Sequence, residues 1–118
     1  MSTVSLPEIS VEELAKKLSS PSQFILLDVR EPWELDVAQI RDTRLAVRPM
    51  SQLAEQGIDA LPEAARKNDA EIYVLCHHGI RSADVTAWLA SQGWKKVFSV
   101  AGGIAEYARK IDGSVGMY

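Results

Sequence analysis

Residues 71–93, EIYVLCHHGIRSADVTAWLASQG, decide the fold of this chain. The short apolar run at 72–75 is typical of a strand that is buried on both faces of a sheet. Val85 and Leu89 follow at helical spacing, and Gly93 stands where a helix favours a left-handed residue at its C-terminal end. The segment therefore predicts a strand, a loop and a helix, which is the repeating unit of a mostly parallel α/β fold.

The loop in this segment contains Cys76, the only cysteine of the chain. Unpaired N–H groups in the first turn of a helix stabilise a nearby thiolate, so we expect Cys76 to be a nucleophile. Gly79 permits a left-handed backbone that turns N–H groups towards the sulfur, and Arg81 adds positive charge. The alternative is an inert cysteine packed in the core. The nucleophile interpretation requires amide hydrogens that face the sulfur and a side chain that solvent can reach.

Three motifs together resemble those of the rhodanese-like sulfurtransferases. Residues 76–82, CHHGIRS, resemble the family's C-x-x-G-x-R-S active-site loop. Residues 24–34, FILLDVREPWE, resemble its DVRE-x-x-E signature, and residues 100–104, VAGGI, resemble its late double-glycine turn. The resemblance implies a rhodanese-like three-layer α/β/α fold, with a mostly parallel five-stranded sheet in the order 1-5-4-2-3.

The resemblance also implies that Cys76 is catalytic and carries sulfur as a persulfide. The other loop residues are then expected to bind the substrate: His77, His78, Gly79, Ile80, Arg81 and Ser82. Arg81 is expected to orient the oxyanion of the donor and to stabilise charge on the leaving group. Four residues separate Cys76 from Arg81, one fewer than in related Cys-Arg phosphatases. Phosphatase or arsenate reductase activity therefore ranks below sulfur transfer.

Asp28 and Arg30 follow a second apolar run at 24–27. In open parallel sheets, functional sites gather outside the C-terminal strand ends, which puts both residues on the same rim as Cys76. Arg30 could attract an anionic sulfur donor, or the two side chains could pair and hold the rim in place. We favour rim support, because charged residues at such edges commonly form ion pairs.

His77 and His78 are the only histidines of the chain and suggest a general base for Cys76. A thiolate stabilised by N–H groups needs no base, however, and consecutive side chains of a tight loop should point away from the sulfur. We expect both histidines to shape access to the site. No metal and no cofactor are expected, because these neighbouring residues lie too close in sequence to share one ion.

The remaining segments predict a scaffold. Ser10 and Glu13 form a capping box for a helix at about 11–18, and Pro32 opens a short helical turn. Short helices are expected within 50–67, interrupted at Gly57 and Pro62. A strand at 97–100 and a helix from 104 to 111 follow, with the glycines at 102 and 103 passing close to the Cys76 loop. Residues 112–118 lack periodicity and are predicted to be loosely ordered.

Residues 39–49 depart from the family's pattern, so neither the conformation of this loop nor that of the third strand is predicted. The departure brings in Arg41, Arg44 and Arg48. These arginines could guide a dianion towards the rim, but solvated surface charge is the favoured interpretation.

The composition predicts a single domain over residues 1–118, since 47% of them are hydrophobic. A net charge of −3 argues against nucleic-acid or membrane partners, which would require a strong basic field. No apolar run approaches the ~20 residues that a bilayer requires, and residues 1–7 lack a signal sequence, so a soluble cytoplasmic protein is expected.

One cysteine cannot resolve its own persulfide, so the sulfur must pass to an external acceptor. The expected reaction takes sulfur from a small anionic donor such as thiosulfate to cyanide or a thiol. The alternative is a persulfide carrier or interaction module that serves a partner protein in sulfur relay. The cysteine chemistry is the same in both, and the sequence does not separate them.

Overall fold

A five-stranded parallel sheet organises the structure, a computed structural model that describes residues 6–118. Its strands are β1 (Glu8–Ile9), β2 (Ile25–Asp28), β3 (Leu45–Val47), β4 (Glu71–Leu75) and β5 (Lys96–Val100). They lie in the order β1-β5-β4-β2-β3, and each neighbouring pair is parallel. The predicted α/β class and strand order are confirmed. β1 was not predicted from its residues, because two residues are too short for a periodicity to register.

Helices cover both faces of the sheet. They are α1 (Val11–Leu18), α2 (Pro32–Leu35), α3 (Met50–Gln56), α4 (Ile80–Ser91) and α5 (Gly103–Lys110). Alternate residues of β4 enter two separate cores. Ile72 and Val74 join the core that also contains Leu53 and Leu89, which belong to α3 and α4. Tyr73 and Leu75 join the core on the other face, with Leu14, Ile104 and Tyr107 from α1 and α5.

Short sequence patterns correctly predicted the ends of two helices. The predicted capping box is confirmed, because Ser10 Oγ accepts from the N–H of Glu13 at 3.1 Å and the Glu13 carboxylate accepts from the N–H of Ser10 at 3.4 Å. Gly79 and Gly93 have φ of 95° and 103°, which confirms the predicted left-handed turns at the two ends of α4. The strand–loop–helix unit at 71–93 therefore has the predicted form.

The atypical segment 39–49 forms the edge strand β3, and two of its arginines hold main chain. Arg44 donates to the carbonyl oxygens of Leu18, Ser20 and Ser22 at 2.8, 2.9 and 2.9 Å, and it pairs with Asp42. Arg48 donates to the carbonyl of Ala60 at 2.8 Å. The predicted solvated surface charge is therefore wrong for these two arginines, because their guanidinium groups satisfy turn carbonyls. The exposed Arg41 fits that prediction.

Residues 112–118 run back towards the C-terminal edge of the sheet. They include a 3₁₀ turn at Gly113–Val115, and the carbonyl of Val115 accepts from the N–H of Gln39 at 2.8 Å. The predicted loose order of this tail stays a prediction, as does the single-domain assignment.

Among residues 6–118, no helix combines the length and the apolar character that crossing a bilayer requires. The expectation that 1–7 carry no signal sequence concerns mostly residues 1–5, which lie outside the described residues.

Gly103 is where α5 approaches the Cys76 loop. The N–H groups of Ile104 and Ala105 donate to the carbonyls of Cys76 and His77 at 2.9 and 3.0 Å. A Cβ added at Gly103 would overlap those same two carbonyl oxygens, and its φ of 64° is left-handed. The predicted close approach of the glycine turn to the loop is therefore confirmed, and it leaves no space for a side chain.

Gly103→Ala is expected to destabilise the protein more than Gly93→Ala. Both substitutions force alanine into a left-handed conformation, at a cost of about 1–2 kcal/mol. A Cβ at Gly93 meets nothing within 4 Å, whereas at Gly103 it meets backbone. Unfolding in urea would measure the two free energies, and equal losses would contradict the close approach.

Candidate active-site loop

Hydrogen-bond donors converge on the Cys76 sulfur from one short loop. The N–H groups of Gly79 and Ser82 donate to Sγ at 3.1 and 3.3 Å, and the Ser82 hydroxyl lies 3.4 Å from it. The left-handed turn at Gly79 aims the first amide, and the start of α4 supplies the second. The two amides face the sulfur, so the first requirement set by the sequence is met.

The second requirement is not met in this conformation, because Cys76 is only 1% exposed. The expectation of a sulfur that solvent can reach is wrong here, since the loop that donates to Sγ also encloses it. A donor molecule therefore reaches the sulfur only after the loop or its neighbours move.

A buried hydroxyl chain extends from the sulfur into the sheet. The Ser82 hydroxyl lies 2.8 Å from the hydroxyl of Ser99, and both residues are 0% exposed. Ser99 belongs to β5 and lies beside Val74 of β4 in the register of the sheet. When Ser82 donates to an ionised Cys76, Ser99 can donate to Ser82 in turn. Ser99 was not predicted as a site residue, and the available signal was a serine next to the apolar residues of the strand KVFSV.

Arg81 is held by Glu34 rather than directed freely into the loop. Its two terminal nitrogens donate to the two Glu34 carboxylate oxygens at 2.7 and 2.6 Å. Glu34 also accepts from the N–H of Glu31 at 2.8 Å and from the Tyr118 hydroxyl at 2.9 Å, and its side chain is 4% exposed. The Arg81 hydrogen bonds lower the pKa of Glu34 to about 2. The same hydrogen bonds, followed by the charges of Glu34 and Cys76, raise the pKa of Arg81.

Glu34 was quoted in the sequence motif but was not assigned a site role. Its partner Arg81 is 47 positions away, and no local pattern indicates such a contact. The expected role of Arg81 in orienting the donor's oxyanion stays a prediction, and in this structure its guanidinium is engaged by a carboxylate.

Asp28 and Arg30 form a second ion pair beneath the rim, and both side chains are 0% exposed. Arg30 donates from Nη2 and Nε to the Asp28 carboxylate at 2.8 and 3.0 Å. It also donates to the Glu34 carbonyl at 3.3 Å and to the Tyr118 hydroxyl at 3.1 Å. Rim support by these two residues stays a prediction, and in this structure the Arg30 side chain is buried and paired.

The His77 ring contacts the rings of both Tyr118 and His78. The His77 ring stacks on Tyr118 with centroids 3.7 Å apart, and its Nε2 lies 2.7 Å from the Tyr118 main-chain oxygen. The His78 ring lies 3.8 Å from that of His77. Burial lowers the pKa of His77, which favours the neutral ring. Within the described residues, neither histidine is among the groups hydrogen-bonded to the sulfur.

Exposed apolar side chains lie in the loop and next to Tyr118, which stacks on His77. Ile80, within the loop, is 75% exposed, and Trp33 at the start of α2 is 62% exposed. The Trp33 ring meets that of Tyr118 edge-on at 6.1 Å. We call Trp33, Ile80 and Tyr118 the apolar rim.

A separate surface cavity lies away from this loop. It measures about 790 Å³ and is lined by Phe24, Ile25 and Leu45 among others, at the N-terminal ends of the strands. Because the strands are parallel, this edge is opposite to the one that holds Cys76. Arg44, which lines this cavity, is engaged by main-chain carbonyls and by Asp42.

Comparison with known proteins agrees with the motifs and the fold. The family model for the rhodanese-like domain matches residues 10–110. Rhodanese-like/PpiC domain-containing protein 12 of Arabidopsis thaliana, a chloroplastic protein, is 37% identical over 114 residues, which cover 94% of this chain and 37% of that protein. A putative sulfur carrier protein of Bacillus subtilis is 32% identical over 108 residues, covering 92% of this chain and 54% of that protein. This chain therefore spans about half or less of the length of these relatives.

Among solved structures, the human single-domain sulfurtransferase is similar with a TM-score of 0.71 and 25% identity. The match covers 88% of this chain and 96% of that chain. The five-stranded sheet and its flanking helices are thus those of the rhodanese fold.

The Glu34 carboxylate should make stability depend on pH. Its pKa is about 2 in the folded protein against an ordinary 4.5, so its stabilisation is complete above pH 4.5 and is lost as the pH falls towards 2. Glu34→Gln is expected to lower the free energy of unfolding at pH 7 by about 3 kcal/mol relative to the wild type. This difference should become smaller as the pH falls, because the wild type then loses the same interaction. Urea unfolding across this pH range measures the gap.

The control is Asp36→Asn, which removes a charge from the exposed end of the same helix. The free energy of unfolding of Asp36→Asn should stay close to that of the wild type at every pH in this range. A Glu34→Gln gap of constant size from neutral to acid pH would contradict the ion pair.

Proposed function

The chain belongs to the rhodanese-like family, and from this we propose that Cys76 accepts a sulfane sulfur as a persulfide and passes it to an external acceptor. The observation that carries the proposal is the convergence of the Gly79 and Ser82 amides on Sγ. Amides placed in this way stabilise the attacking thiolate and then the negative charge of the persulfide. The Ser82 hydroxyl lies 3.4 Å from Sγ, where it accepts from the thiol and can donate in turn to a thiolate.

The first step with thiosulfate transfers one sulfur atom. The Cys76 thiolate attacks the outer sulfur, a bond forms between the two sulfurs, and the outer sulfur's bond to the sulfonate sulfur breaks. Sulfite leaves with that bonding pair, so three negative charges are present before and after. In the second step, cyanide attacks the outer sulfur of the persulfide, thiocyanate leaves, and the thiolate is restored. No oxidant or reductant is consumed.

Loop size and charge support sulfur transfer over phosphoryl transfer. Four residues separate Cys76 from Arg81, one fewer than in related Cys-Arg phosphatases, so the loop is smaller than one that wraps a phosphoryl group. Arg81, which would have to clamp a phosphoryl group, is engaged by Glu34 at both terminal nitrogens.

Persulfide formation can be weighed directly. The protein is treated with thiosulfate, or with an organic persulfide, and its intact mass is measured. We expect a gain of one sulfur atom that cyanide removes as thiocyanate. Cys76→Ser should keep the fold, checked by circular dichroism, and should gain nothing. If neither donor leaves a cyanide-sensitive sulfur on Cys76 in the wild type, the proposal is wrong.

A persulfide carrier is the second candidate function. Two observations favour it: the similarity to a putative sulfur carrier protein of Bacillus subtilis and the apolar rim around the loop. Exposed aromatic and aliphatic side chains suit contact with another protein, whereas thiosulfate and cyanide need none.

The two functions differ in the acceptor that is served fastest. Cys76 persulfide is offered either cyanide or a protein thiol, and the transfer rates are compared in the wild type and in Ile80→Ser. A carrier should transfer faster to the protein thiol, and Ile80→Ser should slow that reaction alone. Equal loss with both acceptors would favour the small-molecule enzyme. Lys95→Ser, on the loop that leads into β5, provides the surface control.

A further inference from the structure

We propose that Glu34 is a specificity-determining residue that selects singly charged sulfur donors over dianionic ones by neutralising Arg81. This inference rests on the proposed sulfur transfer at Cys76 and names the class of donor that the loop prefers. That class is an organic persulfide, R–S–S⁻, which carries one negative charge at its reacting end. Thiosulfate, with two negative charges, is then the poorer donor.

Several hydrogen bonds hold the Glu34–Arg81 ion pair in place. Glu34 is a nearly buried carboxylate that accepts from both terminal nitrogens of Arg81, from the N–H of Glu31 and from the Tyr118 hydroxyl. Donors therefore surround both of its oxygens, and the bidentate geometry fixes the orientation of the guanidinium. Arg81 remains 32% exposed, so its outer face can meet an incoming anion, but the positive charge behind that face is already compensated.

The positive charge of Arg30, the second arginine of the rim, is also neutralised by a carboxylate. Arg30 and Asp28 form a fully buried pair with a shortest separation of 2.8 Å. Each rim arginine thus has its own carboxylate, and the two pairs together carry no net charge. What remains for an approaching anion is the set of loop amides around Sγ, which are dipoles rather than charges.

The loss of attraction caused by neutralising Arg81 depends on the charge of the sulfur donor. An uncompensated cation attracts a dianion about twice as strongly as a monoanion at the same distance, so neutralising it penalises thiosulfate more. The negative Cys76 thiolate repels both donors and again repels the dianion more. With R–S–S⁻, the thiolate bonds to the outer sulfur, the donor's S–S bond breaks, and R–S⁻ leaves with the bonding pair. Two negative charges are present before and after this step.

The test measures how fast each donor loads Cys76. Thiosulfate and 2-hydroxyethyl persulfide are mixed separately with the wild type and with Glu34→Gln, and quenched samples are weighed intact. The wild type should load faster from the persulfide. Glu34→Gln keeps the shape of the side chain but leaves Arg81 uncompensated, so its rate constant with thiosulfate should rise about tenfold relative to that with the persulfide.

Four further measurements separate the effect of charge from structural damage. The thiosulfate rate of Glu34→Gln should fall with added salt more steeply than that of the wild type, because a free cation is screened. In the double variant Glu34→Gln/Arg81→Gln, the gain with thiosulfate should disappear. Glu34→Asp, which withdraws the carboxylate by one methylene, should shift the donor ratio in the same direction by less. Asp36→Asn removes one charge from the same helix and should leave the ratio unchanged.

The outcomes distinguish this inference from the proposal beneath it. If the wild type is loaded by neither donor, sulfur transfer at Cys76 is wrong, and the donor preference falls with it. If Cys76 is loaded but Glu34→Gln keeps the wild-type donor ratio, only the role of Glu34 is overturned. If the faster loading from thiosulfate is still seen in Glu34→Gln/Arg81→Gln, the role of Glu34 is overturned as well.

Discussion

The left-handed turn at Gly79 is the constraint on which the site depends. It bends the chain immediately after β4, so that the Gly79 amide and then the Ser82 amide face the sulfur of Cys76. A residue with a Cβ would be strained at this φ and would also press on the Gly102 amide nitrogen, 3.1 Å away. The loop therefore obtains its electrostatic character from backbone geometry, and the side chains around it tune that character.

That tuning is done by ion pairs stacked at one edge of the sheet. The Asp28–Arg30 pair is fully buried, the Glu34–Arg81 pair lies above it, and the Tyr118 hydroxyl bonds to a member of each. Buried charges need partners, and here each charge has several. The two arginines of the rim are therefore each balanced by a carboxylate.

Local sequence signals accounted for most of the fold and for the centre of the site. The apolar run at 72–75, the glycine at 79 and the helical spacing beyond it all act within one segment, so a pattern of a few residues was sufficient. The same holds for the capping box of Ser10 and Glu13. Motif resemblance supplied the strand order, which no local pattern contains.

Contacts between distant segments were not predictable in this way. Glu34 is hydrogen-bonded to Arg81, 47 positions away, and to Tyr118, 84 positions away. Ser82 of α4 is hydrogen-bonded to Ser99 of β5, 17 positions away. Arg44 looked like surface charge because nothing near it in sequence indicates that the carbonyls after α1 would turn towards it. Such pairings depend on the assembled sheet, and polar residues give no periodicity from which to infer them.

The position of Tyr118 has a practical consequence for anyone who handles this protein. Its ring lies flat against His77, and its main-chain oxygen is 2.7 Å from the imidazole. A purification tag or fluorescent reporter joined after this residue would leave the globule beside the cysteine loop. Added chain would therefore start next to His77, so material tagged there and material with the tag cleaved should be treated as different reagents.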